Sequence, residues 1–480
     1  MKRSELLILL LLTFGAVLVA GYHPWAEDAE IYLPGVEKLL HPELFPFNAQ
    51  FFANHASHTL FPYVIAGSVR LTHLPLSAVL FLWQLASIFL LLLACWQLSG
   101  KCFPDTTARW AGVSLIAALL TLPVAGTALY VLDQYVNPRN LAAFAMIFAI
   151  ANILDKKFLP AVLFLTLAAA LHPFMAAFAI SFCLLLALMP TPESRRAQFA
   201  MLFPFGLTLD PPTLAYHEVA LRHPEHYLIH WQWYEWLGAL APIFLLAWMA
   251  RLARSRQLRN LDLLCRTLIV YLLIYLPIAL VLSVPARLEA LARLQPMRCL
   301  YLLYILMFLL AGCMLGEYVL KKRAWRWLAL FVPLCGGMFV AQRALFPASA
   351  HVEWPGVAPR NRWVQAFEWS RNHTPVDAIF ALGPDYMNLR NEDEQGFRAI
   401  AERSRLADSR DAGAASMFPP LADEWLRQSQ AQSHWNNFRQ EDFQRLRAAD
   451  GVSWVIVQQP RVPGMDCPYQ NDVVKVCRVD

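Results

Sequence analysis

From Leu6 to Leu345 the chain is a succession of apolar runs parted by short polar loops, more than a water-soluble core could absorb. Runs able to form helices in lipid lie at 6–21, 77–98, 109–131, 140–154, 158–171, 174–189, 198–209, 237–250, 261–284, 299–319 and 325–345. Several are shorter than the roughly 20 residues of a full crossing, so their ends must continue into loops or carry polar caps. After residue 350 the pattern changes. About a quarter of residues 351–480 are charged, the usual share for a soluble domain. The chain therefore divides into a membrane domain, 1–350, with a long acidic first loop at 22–59, and a soluble domain, 351–480. Its overall 16% of charged residues excludes a disordered chain, a basic nucleic-acid binder and an ordinary cytosolic enzyme.

Basic residues set the expected orientation, since a cytoplasmic membrane retains them on its inner side. With eleven spans, Lys2-Arg3, Lys101 and Arg109, Lys156-Lys157, Arg195-Arg196, Arg251 through Arg259 and Lys321 through Arg326 share one face. That face is expected to be cytoplasmic. The opposite loops hold only Lys38, Arg139, Arg222, Arg287, Arg293 and Arg298, so most of the net charge of +5 is topology. Leu60 to Thr72 is apolar but contains Arg70, and as a twelfth span it would scatter the basic loops. A re-entrant or interfacial helix is expected there. Leu6 to Ala20 also reads as a signal peptide cleavable near Ala20. An uncleaved anchor is preferred, because cleavage would free the strongest polar motif from the membrane.

An odd number of spans sends the C-terminal domain outside. It reads as mixed α/β: a helix with Trp363, Phe367 and Trp369, a strand Ala378–Leu382, a polar helical middle, and strands Trp454–Gln458 and Val473–Val479. Cys467 and Cys477 flank Asn471-Asp472, a natural turn between strands. They either pair in an oxidising compartment or stay as two free thiols. The other seven cysteines lie in or beside apolar runs and are expected to be packing residues.

Polar groups near hydrocarbon are costly and so carry most of the functional information. Directly after the first run comes Tyr22-His23-Pro24-Trp25-Ala26-Glu27-Asp28-Ala29-Glu30-Ile31-Tyr32. Three carboxylates in four positions raise one another's pKa and offer a general base or a divalent-metal ligand set. An acidic first turn of an interfacial helix gives the same pattern. The loop Asp133-Gln134-Tyr135-Val136-Asn137-Pro138-Arg139-Asn140 adds an acid and an arginine, or simply marks a helix start. His172-Pro173 breaks an apolar stretch, where the imidazole could bond a phosphate or satisfy backbone opened by the proline. Arg298 could grip a lipid phosphate through paired donors, or snorkel to the interface. The stretch 210–236 holds His217, His223, His226 and His230. The last three would share one helical face and could ligate a metal, although no firm ligand motif is present. Trp231, Trp233, Tyr234 and Trp236 beside them read first as an interfacial belt and second as a platform for a sugar ring.

The order of these features resembles the integral-membrane glycosyltransferases of the GT-C fold class. The likeness rests on an N-terminal anchor, a first outer loop opening with Glu27-Asp28-Ala29-Glu30-Ile31-Tyr32, interfacial helices after it, and an outer C-terminal α/β domain. Asn137-Pro138-Arg139, Leu171-His172-Pro173-Phe174-Met175, Trp233-Tyr234-Glu235-Trp236-Leu237-Gly238, Thr374-Pro375-Val376-Asp377-Ala378, Gly396-Phe397-Arg398 and Arg403-Ser404 are similar to segments of a bacterial group within that class. The resemblance implies a bacterial inner-membrane enzyme with a cytoplasmic N-terminus. Such an enzyme moves a sugar from a polyprenyl-phosphate carrier to a glycan, lipid or protein acceptor. It implies Asp28 as the base or acceptor-orienting acid, with Glu27 as the alternative and Asp133 as a second acid. Glu30, Tyr32, Tyr135, Arg139, His172 and Arg298 would bind substrate, the arginines and histidine at the carrier phosphate. Some members need a divalent cation such as Mg or Mn and others none, so the resemblance leaves metal dependence open. The loop reads Glu-Asp where many members have Asp-Asp or Asp-Glu, which leaves open which carboxylate acts. Two other classes fit the same chain: a multi-pass transporter whose interrupted helices line a path, and a non-catalytic membrane scaffold.

Overall fold

The computed structural model describes residues 2–189, 212–284, 288–459 and 464–480. The expected span 198–209 and the loop residues Arg195, Arg196 and Arg287 lie outside them. Six helices among the described residues are long and apolar enough to cross a membrane. They are α1 (Arg3–Ala20), α5 (Leu76–Cys102), α11 (Trp233–Ser255), α12 (Arg259–Ser283), the stretch Pro296–Leu320 containing α14 (Cys299–Met314), and α15 (Ala324–Leu345). Three shorter apolar helices, α7 (Pro138–Leu154), α8 (Phe158–Leu171) and α9 (Pro173–Leu188), join them. Large apolar side chains of α1, α8 and α15, among them Leu11, Leu159 and Val340, face outward, as lipid contact requires.

The run 109–131 does not form the single helix its hydropathy suggests. Helix α6 (Thr106–Ala118) ends after 13 residues, and a hairpin follows, β1 (Pro123–Val124) against β2 (Leu129–Tyr130). Pro123 cannot donate to a continuing helix, and Gly126 turns the chain at φ +63°. Helix α6 packs against α14 at Gly112 and Gly312. A Cβ on Gly312 would lie 2.8 Å from the Gly112 Cα, so only small residues let the backbones approach this closely. The other short elements are α2 (Ala29–Leu40), α3 (Gln50–Ser57) and α4 (Phe61–Thr72). Helix α4 spans about 18 Å, well short of a bilayer core. The Arg70 guanidinium donates to the Leu39 carbonyl and ties α4 to α2.

The stretch after residue 212 contributes α10 (Leu214–Leu221), and α13 (Glu289–Ala292) precedes α14. The C-terminal domain is a five-stranded sheet in the order β4-β3-β5-β7-β6. Its strands are β3 (Ile379–Leu382), β4 (Ser404–Arg405), β5 (Trp454–Gln458), β6 (Tyr469–Gln470) and β7 (Val474–Arg478). Strand β3 runs parallel to β4 and β5, and β7 antiparallel to β5 and β6. Helix α16 (Arg362–His373) covers one face, where Trp363 and Phe367 cluster with Phe380, Ile456 and Val476. The opposite face carries Ala381, Val455 and Cys477 against Phe443 and Leu446 of α20 (Gln440–Asp450). Between these lie α17 (Phe397–Ala401), α18 (Asp411–Met417) and α19 (Ala422–Ala431), the polar helical middle.

Cys467 and Cys477 form a disulfide across the β6–β7 hairpin, and the other seven cysteines are free, six of them buried. Thiol labelling of denatured, unreduced protein should leave Cys467 and Cys477 unmodified and reach both after reduction. Labelling of either before reduction would contradict the pair.

Candidate functional site

The segment leaving α1 is threaded between the membrane domain and the C-terminal domain. His23 N–H donates to the Gln134 carbonyl, Tyr22 and Val352 form a parallel bridge, and Ala26 and Gln395 an antiparallel one. Glu27, at φ 51°, donates its N–H to the Glu394 carbonyl at 2.7 Å. This fixes the backbone at the start of α2 from both sides. Asp28 then stands immediately before α2, its N–H donating to the Tyr135 hydroxyl at 3.2 Å. Its carboxylate is 34% exposed and 3.8 Å from the Arg410 guanidinium, which also pairs with Glu394. Burial pushes the Glu27 carboxyl up to about 7. Arg410 and Arg139 oppose that rise, and Asp133 and Asp28 add to it.

Asp133 is buried and accepts from Arg139 Nη2 at 2.6 Å and Asn137 Nδ2 at 2.7 Å. Asn137 caps α7 through its side chain, with Pro138 in the first turn. The helix-start pattern and the charged site are therefore one structure. Asp133, expected as a second acid, holds the Arg139 guanidinium in this arrangement. Arg139 Nε is buried with no hydrogen-bond partner among the described residues.

His172 sits at the junction of α8 and α9, where its Nδ1 accepts from the Met175 N–H at 3.3 Å. With Nδ1 accepting, the ring proton belongs on Nε2, which leaves a donor for an anion. Arg298 is half-buried in the turn before α14, its guanidinium carbon 5.6 Å from the Phe174 ring centre, and its Nε has no partner. Tyr32 lies edge-on to His55, ring centres 6.0 Å apart. Burial raises its hydroxyl to about 12, and Asp28, Arg139, Arg298 and Asp133 all act on it. Five of the expected site residues thus share one electrostatic neighbourhood. His55 belongs to it as well. Burial holds that imidazole down at about 4, with Asp28 and Arg298 pulling in opposite directions.

Glu30 stands apart. Expected to bind substrate, it is fully buried and accepts from Arg405 Nε at 2.8 Å and from the Arg398 N–H at 2.8 Å. Arg398 and Arg405 also pair with Asp411, and Arg405 with Asp408. Five buried ionisable groups therefore clamp α2 to the C-terminal domain. Gly396 allows the approach, since a Cβ there would fall 2.8 Å from Glu30 Oε2. Asn48, bonded to Gln428 and to the Arg405 carbonyl, makes a second seam.

The histidine stretch is not one helical face. His223 and His226 flank Glu225 in one tight turn, whereas His230 falls in the next turn and is exposed. The aromatics also divide. Trp231 is buried over Gly126 and donates to the Glu225 carbonyl, while Trp233 and Tyr234 project from α11 like an interfacial belt. A cavity of about 730 Å³ lies between α2, α4 and residues 350–360, and shares no lining residue with the Asp28 neighbourhood. Burial pushes its buried acid Glu37 well above the usual carboxylate range.

Arg410 and His55 are the residues that sequence reasoning missed. Arg410 reaches Asp28 from the far end of the chain, which no local spacing signals. His55 lies in a short polar helix that carries no motif. No protein-family model matches the chain, and no curated protein is significantly similar to it.

Proposed function

We propose that the protein is an integral-membrane glycosyltransferase that moves a sugar from a polyprenyl-phosphate carrier to an acceptor on the extracytoplasmic face. The observation that carries this reading is the gathering of a partly exposed first-loop carboxylate, Asp28, with Arg139, Arg298 and His172 beside apolar helices. The acceptor hydroxyl is oriented by Asp28, which takes its proton as the oxygen attacks the anomeric carbon from the face opposite the phosphate. The bond from that carbon to the phosphate oxygen breaks, and the carrier leaves as polyprenyl phosphate with one additional negative charge. Arg298, the free Arg139 Nε and the His172 Nε2–H are the donors suited to that developing charge. The Cys467–Cys477 disulfide and the uneven distribution of Lys and Arg both favour an N-terminus inside and the C-terminal domain outside, with about eleven spans.

The test is the purified protein in proteoliposomes with labelled polyprenyl-phosphate sugar and a mixture of envelope glycan and lipid acceptors. Transfer of label from the carrier is expected. Vectorial uptake of free solute without any lipid-linked donor would instead identify a transporter.

Two measurements examine the assigned roles. Arg298→Ala should raise the KM for the lipid-linked donor about tenfold or more, because a charge-assisted contact to phosphate is lost. An unchanged donor KM would remove Arg298 from the phosphate site. Glu27 is neutral below about pH 7 and charged above it. A charged Glu27 beside the acceptor favours loss of the acceptor proton, so transfer should rise with pH through a limb near 7. In Glu27→Gln that limb should vanish while transfer persists. Survival of the limb would assign it to another group.

A further inference from the structure

The geometry points to a zinc-class divalent metal site formed by His223, Glu225 and His226, distinct from the carboxylates of the first loop. After α10 the chain enters the turn His223-Pro224-Glu225-His226, in which Pro224 opens a tight helical turn that places Glu225 between the two imidazoles. His223 Nδ1 is 2.9 Å from Glu225 Oε1, and His226 Nε2 is 3.7 Å from the same oxygen. All three donor atoms lie within 4.8 Å of one another. A tetrahedral ion with bonds of about 2.1 Å holds its donors about 3.4 Å apart, and two imidazoles with one carboxylate are a familiar zinc ligand set.

The two imidazoles stack with ring centres 5.1 Å apart, which brings His226 beside Glu225 without a hydrogen bond to it. The His223–Glu225 contact is a hydrogen bond, but 3.7 Å is too long for one from His226, whose side chain is only 7% exposed. A shared ion needs that separation. Glu225 and His226 also border a cavity of about 10 Å³, large enough for one ion or water, completed by Thr127, Gln295, Met297 and Arg298. Arg298 lines that cavity with two of the three ligands, while His223 lies outside it. On the transferase reading, metal and guanidinium would hold the departing phosphate from two sides. Metal binding itself does not depend on that reading.

The experiment uses full-length, tag-free protein in detergent, stripped with chelator and titrated with cobalt(II) in the absence of any sugar donor. One equivalent giving the visible absorption of four-coordinate cobalt is expected, displaced by zinc. Glu225→Gln and His226→Ala should each weaken binding more than tenfold, and His230→Ala should not. Zinc-edge X-ray absorption of the wild type keeps the test sound if a variant misfolds: imidazole ligands are expected. A shell without imidazole, an absence of cobalt absorption, or equal binding in Glu225→Gln and His226→Ala would overturn the site. Since no transfer is measured, a failed transferase assay leaves the result intact, and loss of the metal site leaves the transferase reading standing.

Discussion

Replacing Asp28 with asparagine should lower sugar transfer at least about a hundredfold in reconstituted membranes, the usual scale for loss of a general base. The substitution preserves shape. The contact that fixes the position, from the Asp28 N–H to the Tyr135 hydroxyl, is made by backbone and survives. Arg410 loses a partner 3.8 Å away but keeps Glu394, so the fold should melt at an unchanged temperature. The change removes only the carboxylate's capacity to take a proton. Transfer at the wild-type rate, in protein shown to be folded, would exclude Asp28 from the chemistry. A comparable loss in Glu27→Gln would instead move the base by one residue.

Arg405→Ala should destabilise the protein by about 3–5 kcal/mol, the cost of leaving buried charge without its partner. Arg405 hydrogen-bonds Glu30 at 2.8 Å and Asp411 at 3.2 Å and forms an ion pair with Asp408 at 2.7 Å, all essentially without solvent. Two guanidinium groups face three carboxylates, and burial pushes the Asp408 carboxyl upward, which reduces the excess negative charge. Without Arg405, Arg398 alone remains against all three acids. Thermal unfolding of the detergent-solubilised variant should show a markedly lower midpoint, and protease should cut between the first loop and residues 396–411. An unchanged midpoint would mean that the clamp contributes nothing to holding the domain.

Membrane helices were the most legible elements, since an apolar run in lipid has few alternatives, and the bounds of α8, α9, α12 and α15 fall within two residues of the hydropathy limits. The run 109–131 failed because hydropathy does not distinguish a helix from a buried hairpin, although Pro123 and Gly126 signalled the break. In the soluble domain, Trp454–Gln458 was readable from its continuous run Trp454-Val455-Ile456-Val457, as a strand buried on both faces requires. The charged neighbourhood was readable wherever a motif placed groups close in sequence, as with Asp133, Asn137 and Arg139. Glu30 could not be told from Glu27 and Asp28 by spacing. What separates it is its place inside α2, two residues beyond Asp28, with its carboxylate on Arg405, and that partner lies 375 positions away. The histidines were grouped on the assumption of a continuous helix, which Pro224 prevents.

The bridges from Tyr22 to Val352 and from Ala26 to Gln395, with Arg410 beyond them, have a bearing on biosynthesis. Asp28 emerges early from the ribosome and is positioned by segments that emerge among the last. A nascent chain halted after α15 would still lack the partners of Tyr22 and Ala26 and the Arg410 guanidinium. Assembly of the surroundings of Asp28 is thus a late event in the life of each molecule.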